Sequence, residues 1–138
     1  GGLVSGMGAV IKTFSPKTRV IGVSASNSAA LAASIKEGKI VETEHLDTLA
    51  HGGAGGVGEA PLTLPMATAV IDEIVHCDED QIAEALKVLA WEENMLVEGA
   101  AALALAAWLA DPKAYAGQTS AVLLCGSNYE TSQLRDLL

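Results

Sequence analysis

The first third of the chain combines apolar residues at helical spacing with a short β-branched run. Between Leu3 and Phe14 apolar side chains recur every three or four residues, and Pro16 interrupts the pattern. We therefore predict a helix that begins in the glycine-rich segment Gly1–Gly8. The run Arg19–Val23 is β-branched and short, which is typical of a buried strand.

A helix and a flexible loop are predicted next. The helix is expected over Ser28–Lys36 and ends at Gly38, a residue type that favours helix C-termini. Ser26 and Asn27 can cap its start. The later segment His51–Gly58 contains five glycines, too many for the interior of a helix or strand, and is predicted to be a loop.

The second half of the chain continues to alternate helices and strands. Its clearest signal is the acid-x-x-Gln pattern Asp78–Gln81, which is typical of a capping box at a helix start. The predicted elements are, in order, a helix after Pro61 and Pro65 that ends at Ile71, the strand Ile74–Cys77, a helix from Asp78 to Asn94, a helix from Glu98 to Leu109, the strand Ala121–Cys125, and a last helix after Gly126–Asn128.

Strands that alternate with helices predict an α/β fold with an open, mainly parallel sheet flanked by helices. Aromatic residues make up only 4% of the chain, so we expect a core of closely packed Ala, Val, Leu and Ile. No repeat or linker divides residues 1–138, which we treat as a single domain. Because the sequence starts at Gly1 and Gly2 without Met, inside an apparent functional loop, we expect it to be a portion of a longer or processed chain.

Charge and composition exclude several classes of partner. Eight Lys and Arg against 17 Asp and Glu give a net charge of −9, which disfavours nucleic acid. The apolar stretch Gly99–Ala110 is shorter than the roughly 20 residues that a membrane span needs. Cys77 and Cys125 form neither a disulfide framework nor a metal quartet, and the three histidines lack acidic or cysteine neighbours in a metal-site pattern. We therefore expect a cytoplasmic protein without a metal site.

Three segments carry candidate chemistry, each with a plain structural alternative. Backbone N–H groups at Gly1–Gly6 could bind a phosphate at a helix start, although such turns are common without a ligand. Cys125, at the end of a predicted strand, could face a ligand crevice or be a small buried apolar residue. Glu98 could serve a site, or could simply stabilise the start of its helix.

Taken together, the order and spacing of these segments resemble the C-terminal part of the threonine/serine dehydratase family of pyridoxal-phosphate enzymes. This family belongs to the fold-type II, tryptophan-synthase-β-like group. The resemblance covers nearly the whole chain, and six ordered matches are more specific than any single loop. The matching segments are Gly1–Gly6, Val20–Val23, Thr48–Gly56, Val70–Asp80, Glu98–Ala102 and Cys125–Asn128.

The resemblance implies pyridoxal 5'-phosphate as cofactor and a small amino acid as substrate. The expected reaction is β-elimination, which converts L-threonine or L-serine to a 2-oxo acid and ammonia, in a complete enzyme that is expected to be a homo-oligomer. Cys125 would face the pyridine nitrogen, as a weakly acidic group rather than a carboxylate. The residues implied at the cofactor are Gly1, Gly2, Leu3, Val4 and Ser5 around its phosphate, Gly55 and Gly56 at its ring face, and Glu98, Cys125, Gly126 and Asn128 near its ring.

The sequence departs from the family pattern in two places. Ala50-His51-Gly52 replaces the Ala-Asp-Gly of many relatives, so a divalent metal near His51 is left open. The family's cofactor-binding lysine lies in an upstream motif that none of the six lysines here follows, and we expect this chain alone to be catalytically inactive. A related racemase, a β-replacement enzyme, a hydroxy-amino-acid dehydratase and a non-catalytic α/β binding module remain alternatives.

Overall fold

The computed structural model describes residues 1–58, 62–129 and 131–137. Helices and two strands follow one another along these ranges in the predicted order, except that the third predicted strand does not form. None of the helices within them is long and apolar enough to span a bilayer. The elements are α1 (Gly2–Phe14), β1 (Ile21–Ala25), α2 (Ala30–Glu37), α3 (Thr63–Val70), β2 (Glu73–Cys77), α4 (Glu79–Trp91), α5 (Gly99–Ala110) and α6 (Thr131–Leu137), with short 3-10 helices at His51–Gly53 and Pro112–Tyr115.

The two strands form a parallel pair, which confirms the predicted α/β fold with an open parallel sheet. Their register runs from Ile21 beside Glu73 to Ala25 beside Cys77. Both strands therefore end at the same edge of the sheet. In open α/β folds this carboxyl edge is where ligands bind, because the connections that follow the strands leave a crevice there.

The predicted strand Ala121–Cys125 is wrong, because residues 121–129 form no helix or strand in the structure. Val122 is 38% exposed and Leu123 41% exposed. Among the described backbone hydrogen bonds, this stretch takes part in one, in which the N–H of Glu98 donates to the carbonyl oxygen of Gly126 at 3.1 Å. An apolar run becomes a strand only where a neighbouring strand pairs with it, and among the described residues neither β1 nor β2 pairs with residues 121–125.

Helix ends follow the sequence signals at some places and depart from them at others. The capping box of α4 is confirmed, since Asp78 and Gln81 exchange two hydrogen bonds of 2.9 Å. Ser26 and Asn27 do not cap α2, whose N-cap residue is Ala29. Asn27 instead donates from Nδ2 to the carbonyl oxygen of Asp47 at 2.7 Å. The chain continues past the sheet edge before it turns into the helix, so these two residues come too early to cap it.

Three further predicted ends can be compared with the structure. Gly38 ends α2 in the left-handed conformation, with φ of 66°, as predicted. Helix α4 ends at Trp91, three residues before the predicted Asn94, which itself has φ of 57°. Pro65 lies in the first turn of α3, where a missing N–H costs little. Pro61, which is also predicted to precede this helix, lies outside the described residues.

The core lies between α4, α5 and the sheet. Small side chains on α5 allow close packing, and Ala101 and Ala102 are fully buried, as is Ile82 of α4. Cys77 at the end of β2 is also fully buried, and burial, followed by the charge of Asp78, raises the pKa of its thiol. Cys77 is therefore a neutral member of the core.

A second packed unit joins α1 to α3 beside the sheet. A Cβ on Gly8 would lie 2.5 Å from Val70, so the two helices approach too closely there for a larger residue. Lys12 and Asp72 form an ion pair with Nζ and Oδ2 2.5 Å apart. Asp72 also accepts a 2.6 Å hydrogen bond from the N–H of Val20, which ties α1 to the start of β1.

Candidate functional site

A cleft of about 270 Å³ lies at the carboxyl edge of the sheet. Its longest wall is the segment Gly52–Gly58, which we call the glycine loop. The remaining wall residues come from three separate parts of the chain and include Gly1 before α1, Ser24 and Ser28 at and after the end of β1, and Thr63 at the start of α3. The start of the chain and the glycine loop therefore meet at one site, although Gly1 and Gly52 are 51 positions apart in sequence.

The N-terminal end of α1 gives this cleft an electropositive side. The first N–H groups of α1, at Gly2, Leu3 and Val4, have no acceptor within the helix, and no side chain caps its start. These N–H groups and the helix dipole favour an anion near Gly1. Ser5 is 1% exposed and donates from Oγ to the carbonyl oxygen of Thr63 at 3.3 Å, so it joins α1 to α3.

The glycine loop is held in place by a buried serine. Gly55 has φ of 111°, a conformation that residues with side chains rarely adopt. Its N–H donates to Ser28 Oγ at 3.0 Å, and the same oxygen lies 2.7 Å from Nδ1 of His45. Ser28 is 2% exposed, so the oxygen that both hydrogen bonds share is buried, whereas Gly55 and His45 are exposed.

Glu98 connects the glycine loop to the C-terminal segment. A Cβ on Gly52 would lie 3.4 Å from Glu98 Oε1, and one on Gly126 would overlap the same oxygen. The carboxylate therefore lies between two glycine backbones. Only Gly126 must lack a side chain to leave it this position, because 3.4 Å from Gly52 is an ordinary contact distance. Cys125, next to Gly126, has an exposed thiol, and Asn128 is exposed as well.

Helix α6 lies beside the same loop. Gln133 Nε2 is 2.8 Å from Nε2 of His51, the first residue of the 3-10 turn that opens the glycine loop. A contact of this kind requires the side-chain amide to donate and the ring nitrogen to accept. Within the described residues no group of three or more His, Cys, Asp or Glu side chains is arranged to hold a metal ion.

A larger groove of about 360 Å³ lies elsewhere, between α2 and the outer side of β2. Ile35, Ile71 and Ile74 supply its apolar surface, and Lys36 and His76 lie at its sides. It contains neither a glycine-rich segment nor the start of a helix. Its chemistry is that of an uncovered sheet edge rather than of an anion site.

The sequence of residues 1–126 matches the family model described as pyridoxal-phosphate dependent enzyme. This match spans all the segments that form the cleft. The chain belongs to this family of pyridoxal-phosphate-dependent enzymes. The resemblance recognised from the sequence motifs is thereby confirmed.

Individual members of the pyridoxal-phosphate family are similar along nearly the whole chain. An L-threonine ammonia-lyase of Thermotoga maritima is 33% identical over 136 residues, which are 97% of this chain and 33% of that protein. The crystal structure of a threonine deaminase from T.th. superposes with a TM-score of 0.84 at 33% identity, covering 94% of this chain and 47% of that one. The structure of maize serine racemase gives a TM-score of 0.85 at 26% identity, covering 99% of this chain and 42% of that chain.

The chain spans about a third to two fifths of the length of the curated relatives it matches. The helices and the parallel sheet of this pyridoxal-phosphate family member therefore correspond to part of a fold-type II enzyme. Of the residues that the sequence nominated for a cofactor site, Gly1, Gly55 and Gly56 line the cleft, whereas Glu98 is not among its lining residues. Sequence reasoning missed Ser24, Ser28 and Thr63 as wall residues, although a serine just after the end of a parallel strand is a signal that could have indicated Ser28.

Proposed function

We propose that this chain forms the C-terminal, cofactor-binding portion of a pyridoxal-phosphate-dependent ammonia-lyase that acts on L-threonine or L-serine. The observation that carries the proposal is the meeting of the α1 start and the glycine loop at one cleft. Relatives named as threonine ammonia-lyase and threonine deaminase support the substrate class. The products would be a 2-oxo acid and ammonia.

The residues around the cleft fit a phosphorylated, flat aromatic ring. Phosphate oxygens are acceptors, and the start of α1 offers N–H donors at the positive end of its dipole. A loop without side chains lets a flat ring approach its backbone closely. The cleft, at about 270 Å³, is near the lower end of the roughly 300–1,000 Å³ common for small-molecule sites.

We assign the cofactor contacts by chemistry. Gly1, Gly2, Leu3 and Val4 would hold the phosphate through backbone groups, and Ser5 would support that turn through its bond to Thr63. Gly55 and Gly56 would lie against the ring face, with Glu98 beside them. Cys125, Gly126 and Asn128 would line the edge of the ring that carries the nitrogen.

When bound, the cofactor supplies an electron-withdrawing ring that makes the substrate's α-proton and β-hydroxyl easier to remove. This chain's own contribution is to orient the ring and to set the environment of its nitrogen. A thiol at Cys125 can share a hydrogen bond with that nitrogen, but it is too weak an acid to keep it protonated. Such a contact favours elimination over reactions that need a fully protonated ring.

The catalytic base is not among the residues we assign. None of the six lysines lies in the family's lysine motif, and the chain spans 33% of the Thermotoga maritima relative. We propose that the complete enzyme supplies this lysine and the loop that binds the substrate carboxylate from other parts of its sequence. We further propose that it acts as a cytoplasmic homo-oligomer.

The phosphate site can be tested by removing one N–H donor from α1. Gly2→Pro removes the N–H at the first helical position, where proline is tolerated, and a Cβ there meets no atom within 4 Å. The probe is pyridoxine 5'-phosphate, which carries the ring and the phosphate but no aldehyde that could react with surface lysines. Calorimetric titration should show a dissociation constant raised at least about tenfold in Gly2→Pro, since one hydrogen bond to a charged group contributes about 1.5–3 kcal/mol.

Gly6→Ala is the matched control, since Gly6 also lies in α1 and has open space around it. It should bind the probe as the wild type does. Unphosphorylated pyridoxine should bind much more weakly than the phosphate ester to every variant. Equal affinity of Gly2→Pro and wild type, or equal affinity for pyridoxine and its phosphate, would contradict the assignment of the phosphate site.

A racemase is the second candidate, favoured by the similarity to maize serine racemase along 99% of the chain. The two activities share a cofactor and differ in their product. Incubation of the complete enzyme with L-serine separates them, since elimination releases a 2-oxo acid and ammonia whereas racemisation yields D-serine. We expect 2-oxo acid to be the dominant product, and dominant D-serine would favour the racemase instead.

A further inference from the structure

We propose that Ser28, held by His45, positions the glycine loop by accepting the hydrogen bond from the N–H group of Gly55. The proposal builds on the function proposed above, since it concerns the same cleft. It assigns two positioning residues that lie outside the glycine-rich motif. It also removes one backbone donor, that of Gly55, from the set that could bind a ligand.

The direction of the bond between Gly55 and Ser28 is fixed, because a backbone N–H can only donate and Ser28 Oγ accepts at 3.0 Å. The hydroxyl group keeps one proton and a second lone pair, and Nδ1 of His45 lies 2.7 Å from the same oxygen. The hydroxyl can therefore donate to Nδ1 or accept from it. Either direction leaves Ser28 joined to both Gly55 and His45.

Burial of the serine makes this arrangement specific. Ser28 is 2% exposed, whereas His45 and Gly55 are exposed, so the serine oxygen is the sheltered point at which the two partners meet. The backbone at Ser28 is held too, because its carbonyl oxygen accepts a 3.4 Å hydrogen bond from Ser24 Oγ. Nε2 of His45 lies near the loop, since a Cβ on Gly56 would lie 3.9 Å from it. The histidine thus lies beside the loop and acts on it through Ser28.

The conformation of Gly55 explains why the loop needs such a support. Glycine at φ of 111° has many other accessible conformations, so its own preferences do not hold the loop in one shape. A hydrogen bond from its N–H to a buried acceptor selects one of them. The glycine loop then offers its backbone surface to a ring, while phosphate donors come from α1.

Ser34 provides a matched control within the same region. It is fully buried, and its Oγ accepts a 3.2 Å hydrogen bond from the N–H of Val41. Ser28→Ala and Ser34→Ala therefore remove the same chemical group from equally buried positions, and both leave a backbone N–H without its acceptor. Only the first changes the glycine loop.

The first measurement is amide hydrogen exchange of the purified protein by NMR. In Ser28→Ala the Gly55 amide should exchange at least about fivefold faster than in the wild type, while the Val41 amide should be unchanged. In Ser34→Ala the pattern should reverse. Unchanged Gly55 exchange in a folded Ser28→Ala protein, or equal acceleration in both variants, would overturn the proposal.

Substitutions at the exposed His45 test its contact with Ser28 without disturbing the core. The side-chain amide of asparagine can donate or accept where Nδ1 stands, so His45→Asn should keep slow exchange at Gly55, whereas His45→Ala should accelerate it about threefold. Equal exchange in both variants would contradict the role of His45.

Binding of pyridoxine 5'-phosphate separates this proposal from the proposed function. Its affinity should fall about fivefold in Ser28→Ala and stay unchanged in Ser34→Ala, because only the former leaves the glycine loop unsupported. If the probe binds to no variant and not to the wild type, the proposed cofactor site is wrong. Gly55 exchange still decides the positioning role in that case.

Discussion

The runs Ile74–Cys77 and Ala121–Cys125 have similar apolar character but reach different environments. The first forms most of β2, pairs with β1 and ends at the fully buried Cys77. The second forms no ladder in the described structure, and two of its large apolar side chains are more than a third exposed. An apolar pattern therefore shows that a segment can form a strand, and the presence of a partner strand decides whether it does.

The largest expected contrast between the two regions concerns their packing. Ile82 of α4 is fully buried against the sheet and α5, so Ile82→Ala should lower the free energy of unfolding by about 2–5 kcal/mol. Leu123→Ala should cost less than about 1 kcal/mol, because that side chain is already partly in water. Urea unfolding of both variants gives the comparison, and similar losses would mean that residues 121–125 are packed after all.

A second comparison is between two glycines, Gly99 at the start of α5, which lies against backbone, and Gly6 in α1, which does not. A Cβ on Gly99 would overlap the carbonyl oxygen of Leu49, which is backbone and cannot rotate away. We expect Gly99→Ala to destabilise the protein by about 2–3 kcal/mol. Gly6→Ala, in an open part of α1, should instead stabilise it by up to about 1 kcal/mol. A neutral Gly99→Ala would show that α5 does not approach residue 49 this closely.

Much of the fold follows from local signals. Helix spacing, the Asp78–Gln81 capping box and the terminal Gly38 all depend on neighbouring residues, and the structure contains each of them. The caps expected at Ser26 and Asn27 failed because the path of the chain after β1 depends on the sheet edge. The third strand failed because pairing is not encoded within the strand itself.

The candidate site likewise contains some residues that the sequence indicates and others that it does not. The glycine loop and the start of α1 stand out by composition, and family resemblance linked them to one ligand. Ser28 does not stand out, since it acts through Gly55, 27 residues away, and through His45. The position of Ser28 just after β1 could have indicated a cleft residue, but its contacts with Gly55 and His45 have no signature in a single chain, and only the folded structure shows them.

A smaller effect is expected at Gly126, where the C-terminal segment approaches Glu98 at the start of α5. A Cβ on Gly126 would overlap the carboxylate of Glu98, which can rotate away, so Gly126→Ala should cost only about 1 kcal/mol. The displaced carboxylate should nevertheless shift the NMR signal of Gly52, its other neighbour. Gly58→Ala, where a Cβ meets nothing within 4 Å, is the control and should leave Gly52 unshifted. An unshifted Gly52 in Gly126→Ala would show that Glu98 does not link the segments.

The smallest expected effect is a pH dependence of stability at the ion pair between Lys12 and Asp72. A hydrogen bond from Lys12, followed by one from the N–H of Val20, lowers the pKa of Asp72 in the folded protein. Because the pKa of Asp72 is lower in the folded than in the unfolded protein, its ionised carboxylate stabilises the fold at a pH above the unfolded pKa. This stabilisation is lost as the pH falls below about 4. Asp72→Asn should thus be less stable than wild type at pH 6, and the difference should shrink at pH 3. If the urea midpoints of Asp72→Asn and wild type differ by the same amount at pH 6 and at pH 3, this expectation is wrong.

The central claim, that the cleft between α1 and the glycine loop binds the cofactor, can be tested by mapping pyridoxine 5'-phosphate onto the protein by NMR. The account predicts that amide signals of Gly2, Leu3, Val4 and the glycine loop shift on titration, while those around the larger groove do not. Shifts confined to Ile35, Lys36 and Ile74, with the α1 start unaffected, would contradict it.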